Sequence, residues 1–113
     1  MVPGTSQVPG SVCNNCTVNI PLPFSYSLYG TSYSQLVAGN DGTLQFTGNS
    51  TNNSNACLPA AGLTNTIFVY WDDLNTNIND SMGIYTSTSG SGLLSCKCTQ
   101  PRIAAAAVDC LLE

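Results

Sequence analysis

The stretch that decides the fold is residues 33–47, which read Tyr-Ser-Gln-Leu-Val-Ala-Gly-Asn-Asp-Gly-Thr-Leu-Gln-Phe-Thr. Its centre, Gly39 to Gly42, is rich in the Gly, Asn and Asp residues that tight turns need. Apolar and polar side chains alternate on both sides, over Tyr33–Ala38 and Thr43–Thr47, as they do in half-buried strands. The sequence therefore predicts a β-hairpin at this position.

The segments around this hairpin also favour strands. Thr17–Phe24 alternates in part, but Pro21 and Pro23 lack backbone N–H groups, so an edge strand or extended segment is expected. Ile67–Trp71 is a continuous apolar run of strand length, which predicts a central buried strand. Met82–Thr86 predicts a further strand. Together these patterns indicate an all-β chain.

Charge is scarce and unevenly placed. The 113 residues, the length of one domain, carry a formal charge of −4, and the only basic residues are Lys97 and Arg102. So few cations argue against a nucleic-acid partner, and no apolar run approaches the ~20 residues needed for membrane insertion. Residues 1–92 are instead dominated by Asn, Thr, Ser and Gly. This composition is typical of exported β-proteins, so we expect a secreted or cell-surface parent protein whose signal peptide is missing from this chain.

The composition divides the chain into three parts. Residues 1–12 contain Val-Pro-Gly twice, which predicts an extended N-terminal arm, and residues 13–92 form the β-module. Residues 93–113 have a different character, because Ile103–Leu112 is rich in Ala and Leu and free of helix breakers. That tail predicts a short C-terminal helix of about 10 residues.

The six cysteines leave three states open, namely disulfides, a metal site and free thiols. They are Cys13, Cys16, Cys57, Cys96, Cys98 and Cys110. An even number in a short exported chain favours disulfides, for which 15 pairings exist. The close pairs Cys13/Cys16 and Cys96/Cys98 could instead supply four thiolates to zinc.

Other chemistry is limited by composition. The chain has no histidine, which excludes a Ser-His-Asp or Cys-His site. No cofactor is expected, although Asp72 and Asp73 with neighbouring carbonyls could bind calcium. The alternative is that these acids only shape a turn. Trp71 with Phe68 could floor a sugar site, but core packing is the preferred interpretation.

Residues 13–91 contain a series of motifs, namely Cys13-Asn-Asn-Cys16-Thr17, Leu22-Pro-Phe24 with Tyr29-Gly30, Gly42-Thr-Leu-Gln-Phe46-Thr-Gly-Asn49, Cys57-Leu-Pro59, Tyr70-Trp-Asp-Asp-Leu74 and Gly83-Ile-Tyr-Thr86. In this order they resemble a β-rich module of large secreted bacterial surface and adhesin-like proteins. This resemblance implies an antiparallel β-sandwich with a structural or adhesive role. It assigns no catalytic residues.

The resemblance ends after Ser91, where the module should continue with a strand that pairs with Gly83–Thr86. We therefore expect an incomplete sandwich with a tail of foreign origin, and an uncovered sheet edge that recruits other chains. The predicted partner is a second copy, which makes a homo-oligomer.

Three functions compete at this point, and the sequence leaves enzymatic activity uncertain. The first is a non-enzymatic extracellular β-domain completed by self-association. The second is a small zinc hydrolase of activated esters or phosphoesters, with Cys and Asp ligands and a metal-activated water. The third is a filament subunit that donates its arm, Val2–Val12, as a strand.

Overall fold

The chain folds into two antiparallel sheets with no helix in the part that the structure describes. The computed structural model describes residues 5–78, 80–89, 93–100 and 106–112, with side chains described over 5–78 and 80–87. The strands are β1 (Ser6–Gln7), β2 (Thr17–Leu28), β3 (Thr31–Gly39), β4 (Thr43–Gln45), β5 (Thr66–Phe68), β6 (Gly83–Ser89), β7 (Leu93–Gln100) and β8 (Ala106–Leu112). One sheet has the order β2-β3-β4-β5 and the other β1-β6-β7-β8. The predicted all-β, sandwich-like class is confirmed.

The predicted hairpin at residues 33–47 forms β3 and β4. Gly39 is opposite Thr43 in the register, and the Gly42 N–H donates to the Gly39 carbonyl at 3.1 Å. Gly42 has a φ of 81°, and a Cβ at this position would overlap the carbonyl of Tyr70. Glycine is therefore required there twice over, by backbone conformation and by space.

The predicted edge strand is β2, which continues for four residues beyond Phe24. Its chain reverses through Tyr29 and Gly30, whose positive φ values of 50° and 79° fit a two-residue hairpin turn. Pro21 pairs with Gln35, after which the register is irregular as far as Tyr26. The prolines thus lie where the lost N–H groups cost little, at the outer edge of the sheet.

The prediction of a central strand at Ile67–Trp71 is wrong. The strand there, β5, has three residues, is partly buried and lies at the edge of its sheet. It ends because the N–H groups of Val69 and Tyr70 both donate to the Gly42 carbonyl, at 3.0 and 3.2 Å. This shared acceptor bends the backbone towards the β3–β4 turn, so the apolar run cannot continue as a strand.

The predicted C-terminal helix is also wrong, because Ala106–Leu112 forms β8; residues 103–105 lie outside the described part. A helix that short is marginal without packing. The neighbouring strand β7 instead offers a ladder of seven register partners, from Leu94↔Leu112 to Gln100↔Ala106. Strand β7 in turn occupies the place beside β6 that was expected to be empty.

The buried core lies mainly on one face of the β2–β5 sheet. It contains Ile20, Leu36, Ala38, Leu44, Phe46 and, from the second sheet, Ile84. Burying a side chain such as Leu36 contributes about 1.5–3 kcal/mol. Ile84 is the residue through which β6 joins this cluster, and only 1% of it is exposed.

We predict that Leu36→Ala lowers the free energy of unfolding by about 2–5 kcal/mol, because it leaves a cavity in the core. Leu58→Ala is the matched control, since Leu58 is 60% exposed and Leu36 is 1% exposed. Urea unfolding followed by the fluorescence of Trp71 measures both. Equal losses in the two variants would show that this core assignment is wrong.

Candidate functional site

A buried polar cluster joins the β3–β4 turn to two loops that are distant in sequence. Asn40 is fully buried, and its side-chain oxygen accepts from the Cys16 N–H at 2.9 Å. Its Nδ2 donates to the Leu74 carbonyl at 2.7 Å. One side chain thus satisfies a donor in the Cys13–Cys16 loop and an acceptor in the loop after β5, and so holds both loops against the turn.

Asp41 continues this cluster with a buried carboxylate. Its Oδ1 accepts from the Leu74 N–H at 3.1 Å, while its Oδ2 has no hydrogen-bond partner among the described residues. Only 2% of Asp41 is exposed. Burial raises the pKa of Asp41 to about 6; the Leu74 N–H opposes the rise and the Asp73 carboxylate adds to it. Asp41 is therefore a weaker acid than an ordinary aspartate, with a pKa of about 6.

Thr76 and Ser11 attach the N-terminal arm to the same cluster. The Thr76 hydroxyl lies 2.7 Å from the Ser11 carbonyl oxygen and 2.8 Å from that of Cys13, and it accepts from the Cys13 N–H at 3.1 Å. The Ser11 hydroxyl donates to the Val8 carbonyl at 2.7 Å and accepts from the Ile84 N–H at 2.9 Å. Both residues are fully buried, so water cannot reach the backbone groups around them. The two hydroxyls instead act as hydrogen-bond partners for these groups.

The structure joins Cys13 and Cys16 in a disulfide. Their sulfurs are consequently not thiolate ligands here. The side chains of Cys96, Cys98 and Cys110 lie outside the described residues, so a zinc site that includes them stays a prediction. Cys57 is exposed and has a free thiol.

Asp72 and Asp73 lie in an exposed loop beside the cluster. The Asn53 Nδ2 donates to Asp73 Oδ1 and to Asn15 Oδ1, both at 2.8 Å, and Asp72 Oδ1 accepts from the Asp73 N–H at 2.9 Å. Among the residues with described side chains, no group of three His, Cys, Asp or Glu could hold a metal ion. Calcium binding by these acids stays a prediction, and the contacts present are those of loop-shaping side chains.

Trp71 packs at the edge of the first sheet rather than in the main core. Its ring lies 5.0 Å from that of Phe68, and its indole N–H donates to the Asn52 carbonyl at 2.7 Å. Asn55 Nδ2 donates to the Trp71 carbonyl at 2.6 Å. Two hydrogen bonds thus hold the polar loop after β4 against the half-buried Trp71.

The sequence points to Asp72 and Asp73 as a candidate site but does not reveal Asn40, Asp41, Thr76 and Ser11. The Asn-Asp pair in the sequence indicates only turn chemistry. The long-range partners, 34 residues apart for Asn40 and Leu74, have no signal in the sequence.

Two antiparallel sheets, a buried polar cluster and a disulfide-closed loop define a β-sandwich-like module. A family model described as NIDO related matches residues 2–92, and the chain belongs to this NIDO-related family. The match supports the extracellular β-rich module that the resemblance implied, without singling out bacterial surface proteins. It ends at residue 92, where the composition changes.

Neither the curated proteins nor the solved structures gave a match to the chain. Among the described residues there is no helix of the length and apolar character that would span a membrane.

We predict that the stability of the chain falls as pH rises from 3.8 towards about 6, because the pKa of folded Asp41 exceeds its ordinary value. Between these limits the folded chain binds more protons than the unfolded chain, and the contribution is about 1–3 kcal/mol. Asp41→Asn keeps the acceptor for the Leu74 N–H and removes the titration.

Urea unfolding at a series of pH values tests this prediction. The free energy of unfolding of the wild type, measured relative to that of Asp41→Asn, should fall across this range and then level off. Asp80→Asn, at an exposed position, is the control and should follow the wild type. Parallel pH profiles for the wild type and Asp41→Asn would contradict the prediction.

Proposed function

We propose that this chain is a non-enzymatic extracellular module with a structural or adhesive role, and that it associates with a second copy through the outer edge of β8. Family membership supports the extracellular structural role. The arrangement of sheet edges supports the association, and it is the observation on which the proposal rests.

The edges of the first sheet are protected against pairing with other chains. Strand β2 carries Pro21 and Pro23, which cannot donate backbone hydrogen bonds. Strand β5 has only three residues and offers a short template. Both devices are means by which natural β-proteins avoid edge-to-edge association.

The second sheet differs, because one of its edges is long and unguarded. Strand β1 at one edge has two residues, whereas β8 at the other has seven, none of them proline. Only Asp109 is charged in β8. In the part of the chain that the structure describes, β8 pairs with β7 alone, so its outer row of backbone groups is available to another strand.

The proposed edge differs from the one expected from the sequence. That expectation left an uncovered edge or face at the central strand and its hairpin, because the strand due beside Gly83–Thr86 was missing. Strand β6 is in fact paired with β1 on one side and β7 on the other. The N-terminal arm also pairs within its own chain, where the Val8 N–H donates to the Ile84 carbonyl at 2.8 Å. Donation of the arm to another copy would require this contact to break.

No contact among the described side chains favours the zinc-hydrolase alternative. Of its proposed ligands, Cys13 and Cys16 are bonded to each other, and Asp73 accepts a hydrogen bond from Asn53. Family membership supports the structural role, and the edge arrangement supports association with a second copy.

We predict that light scattering gives the mass of two chains at micromolar concentration and that the mass falls on dilution. Hydrogen exchange gives an independent measurement. In an unpaired edge strand alternate amides face solvent, so half of the β8 amides should exchange quickly in a monomer and all should be protected in the pair.

Two proline variants serve as each other's control. Adjacent amides in a strand point to opposite edges, so Val108→Pro and Asp109→Pro remove donors on opposite sides of β8. The variant that loses an outward-facing amide should weaken association and leave the β7–β8 amides protected. The variant that loses an amide facing β7 should instead make the β8 amides exchange quickly. A single-chain mass at all concentrations, with fast exchange at alternate β8 amides, would contradict the proposed association.

A further inference from the structure

Three cysteines of the tail occupy neighbouring positions in the second sheet. Thr86 is opposite Cys96, and Cys96 is opposite Cys110. In the adjacent row, Ile84 is opposite Cys98, which is opposite Val108. Half of the cysteines in the chain are thus brought together within two rows of three strands.

Both rows belong to the core face of this sheet. Residues that oppose each other in an antiparallel ladder share a face, as do residues two apart along a strand. Ile84 is 1% exposed and belongs to the main core, so its row lies on the covered face. The row of Cys96 and Cys110, two positions further along β6, lies on the same face.

Separation favours one pair among these three cysteines. A disulfide needs Cα atoms about 4.4–6.8 Å apart. Directly opposed residues such as Cys96 and Cys110 have Cα atoms about 4.5–5.5 Å apart, well within that interval. The diagonal pair Cys98 and Cys110 lies about 7–8 Å apart, outside it. Cys96 and Cys98, two apart in one strand, are separated by about 6.6 Å, close to the upper limit.

We propose that Cys96 and Cys110 form a disulfide that joins β7 to β8, and that Cys98 keeps its thiol. The two thiols lose two protons and two electrons as the S–S bond forms. A small-molecule disulfide such as oxidised glutathione accepts them and is reduced to two thiols.

The rest of the molecule agrees with this pairing. The chain belongs to an extracellular family and already contains the Cys13–Cys16 disulfide, and extracellular conditions preserve such bonds. In the described part of the sheet β8 is an edge strand that pairs with β7 alone, so the link would strengthen its attachment to the sheet. It would fix the β7–β8 register as well as their contact.

Trypsin digestion identifies this pairing directly, because cleavage after Lys97 places Cys96 and Cys98 in different fragments. Cleavage after Lys97 and Arg102 gives the fragments 1–97, 98–102 and 103–113. The full chain is refolded with oxidised and reduced glutathione, its free thiols are alkylated under acid quench, and the non-reduced digest is weighed by mass spectrometry. We expect 103–113 linked to 1–97, and 98–102 released with an alkylated Cys98.

Variants exclude the other pairings. Cys57→Ser and Cys98→Ser should both keep the link between 1–97 and 103–113. Cys96→Ser should lose this link. An undigested mass of one chain on a non-reducing gel shows that the bond is intramolecular. A fragment 98–102 bound to either neighbour, or alkylation at Cys110 in the wild type, would overturn the proposal. These readings do not depend on whether β8 edges associate, so the two proposals can fail separately.

Discussion

The fold depends on one buried amide, the side chain of Asn40. The loops at this end of the sheet have buried backbone groups, and each buried backbone group needs a hydrogen-bond partner. Asn40 provides partners for Cys16 and for Leu74, at 2.9 and 2.7 Å, from a single position in the β3–β4 turn. Without it, two loops that cover the same end of the sheet would leave polar groups unpaired, at about 1–3 kcal/mol each.

Neighbouring groups extend this constraint across the molecule. Thr76 and Ser11 form a second chain of hydrogen bonds, which ends at the Ile84 N–H in the other sheet. The polar cluster therefore connects the two sheets beside the apolar core rather than within it. Asp41 shows the cost of this arrangement, because it keeps one carboxylate oxygen without a partner among the described residues and its pKa rises to about 6.

The sequence is most informative where structure is local. The hairpin at residues 33–47 can be predicted because its turn chemistry and its alternation lie within a few residues. β5 cannot, because the acceptor that bends it is Gly42, more than twenty residues earlier in the chain. The tail misleads for a related reason: alanine-rich residues favour a helix on their own, but a ladder on β7 outweighs that weak preference. The disulfide candidates follow from counting, whereas their pairing needs the register.

The prolines of β2 have a consequence for how large an assembly this module can build. A β-module that is open at two edges can add copies without limit and grow into a fibre. Here Pro21 and Pro23 block one long edge, and the two-residue β1 and three-residue β5 offer little to pair with. In the described part of the chain that leaves β8, so the proposed association would give the module a valence of one. Pairing through that strand would occupy the free edge of both copies, and a closed pair would be the end point.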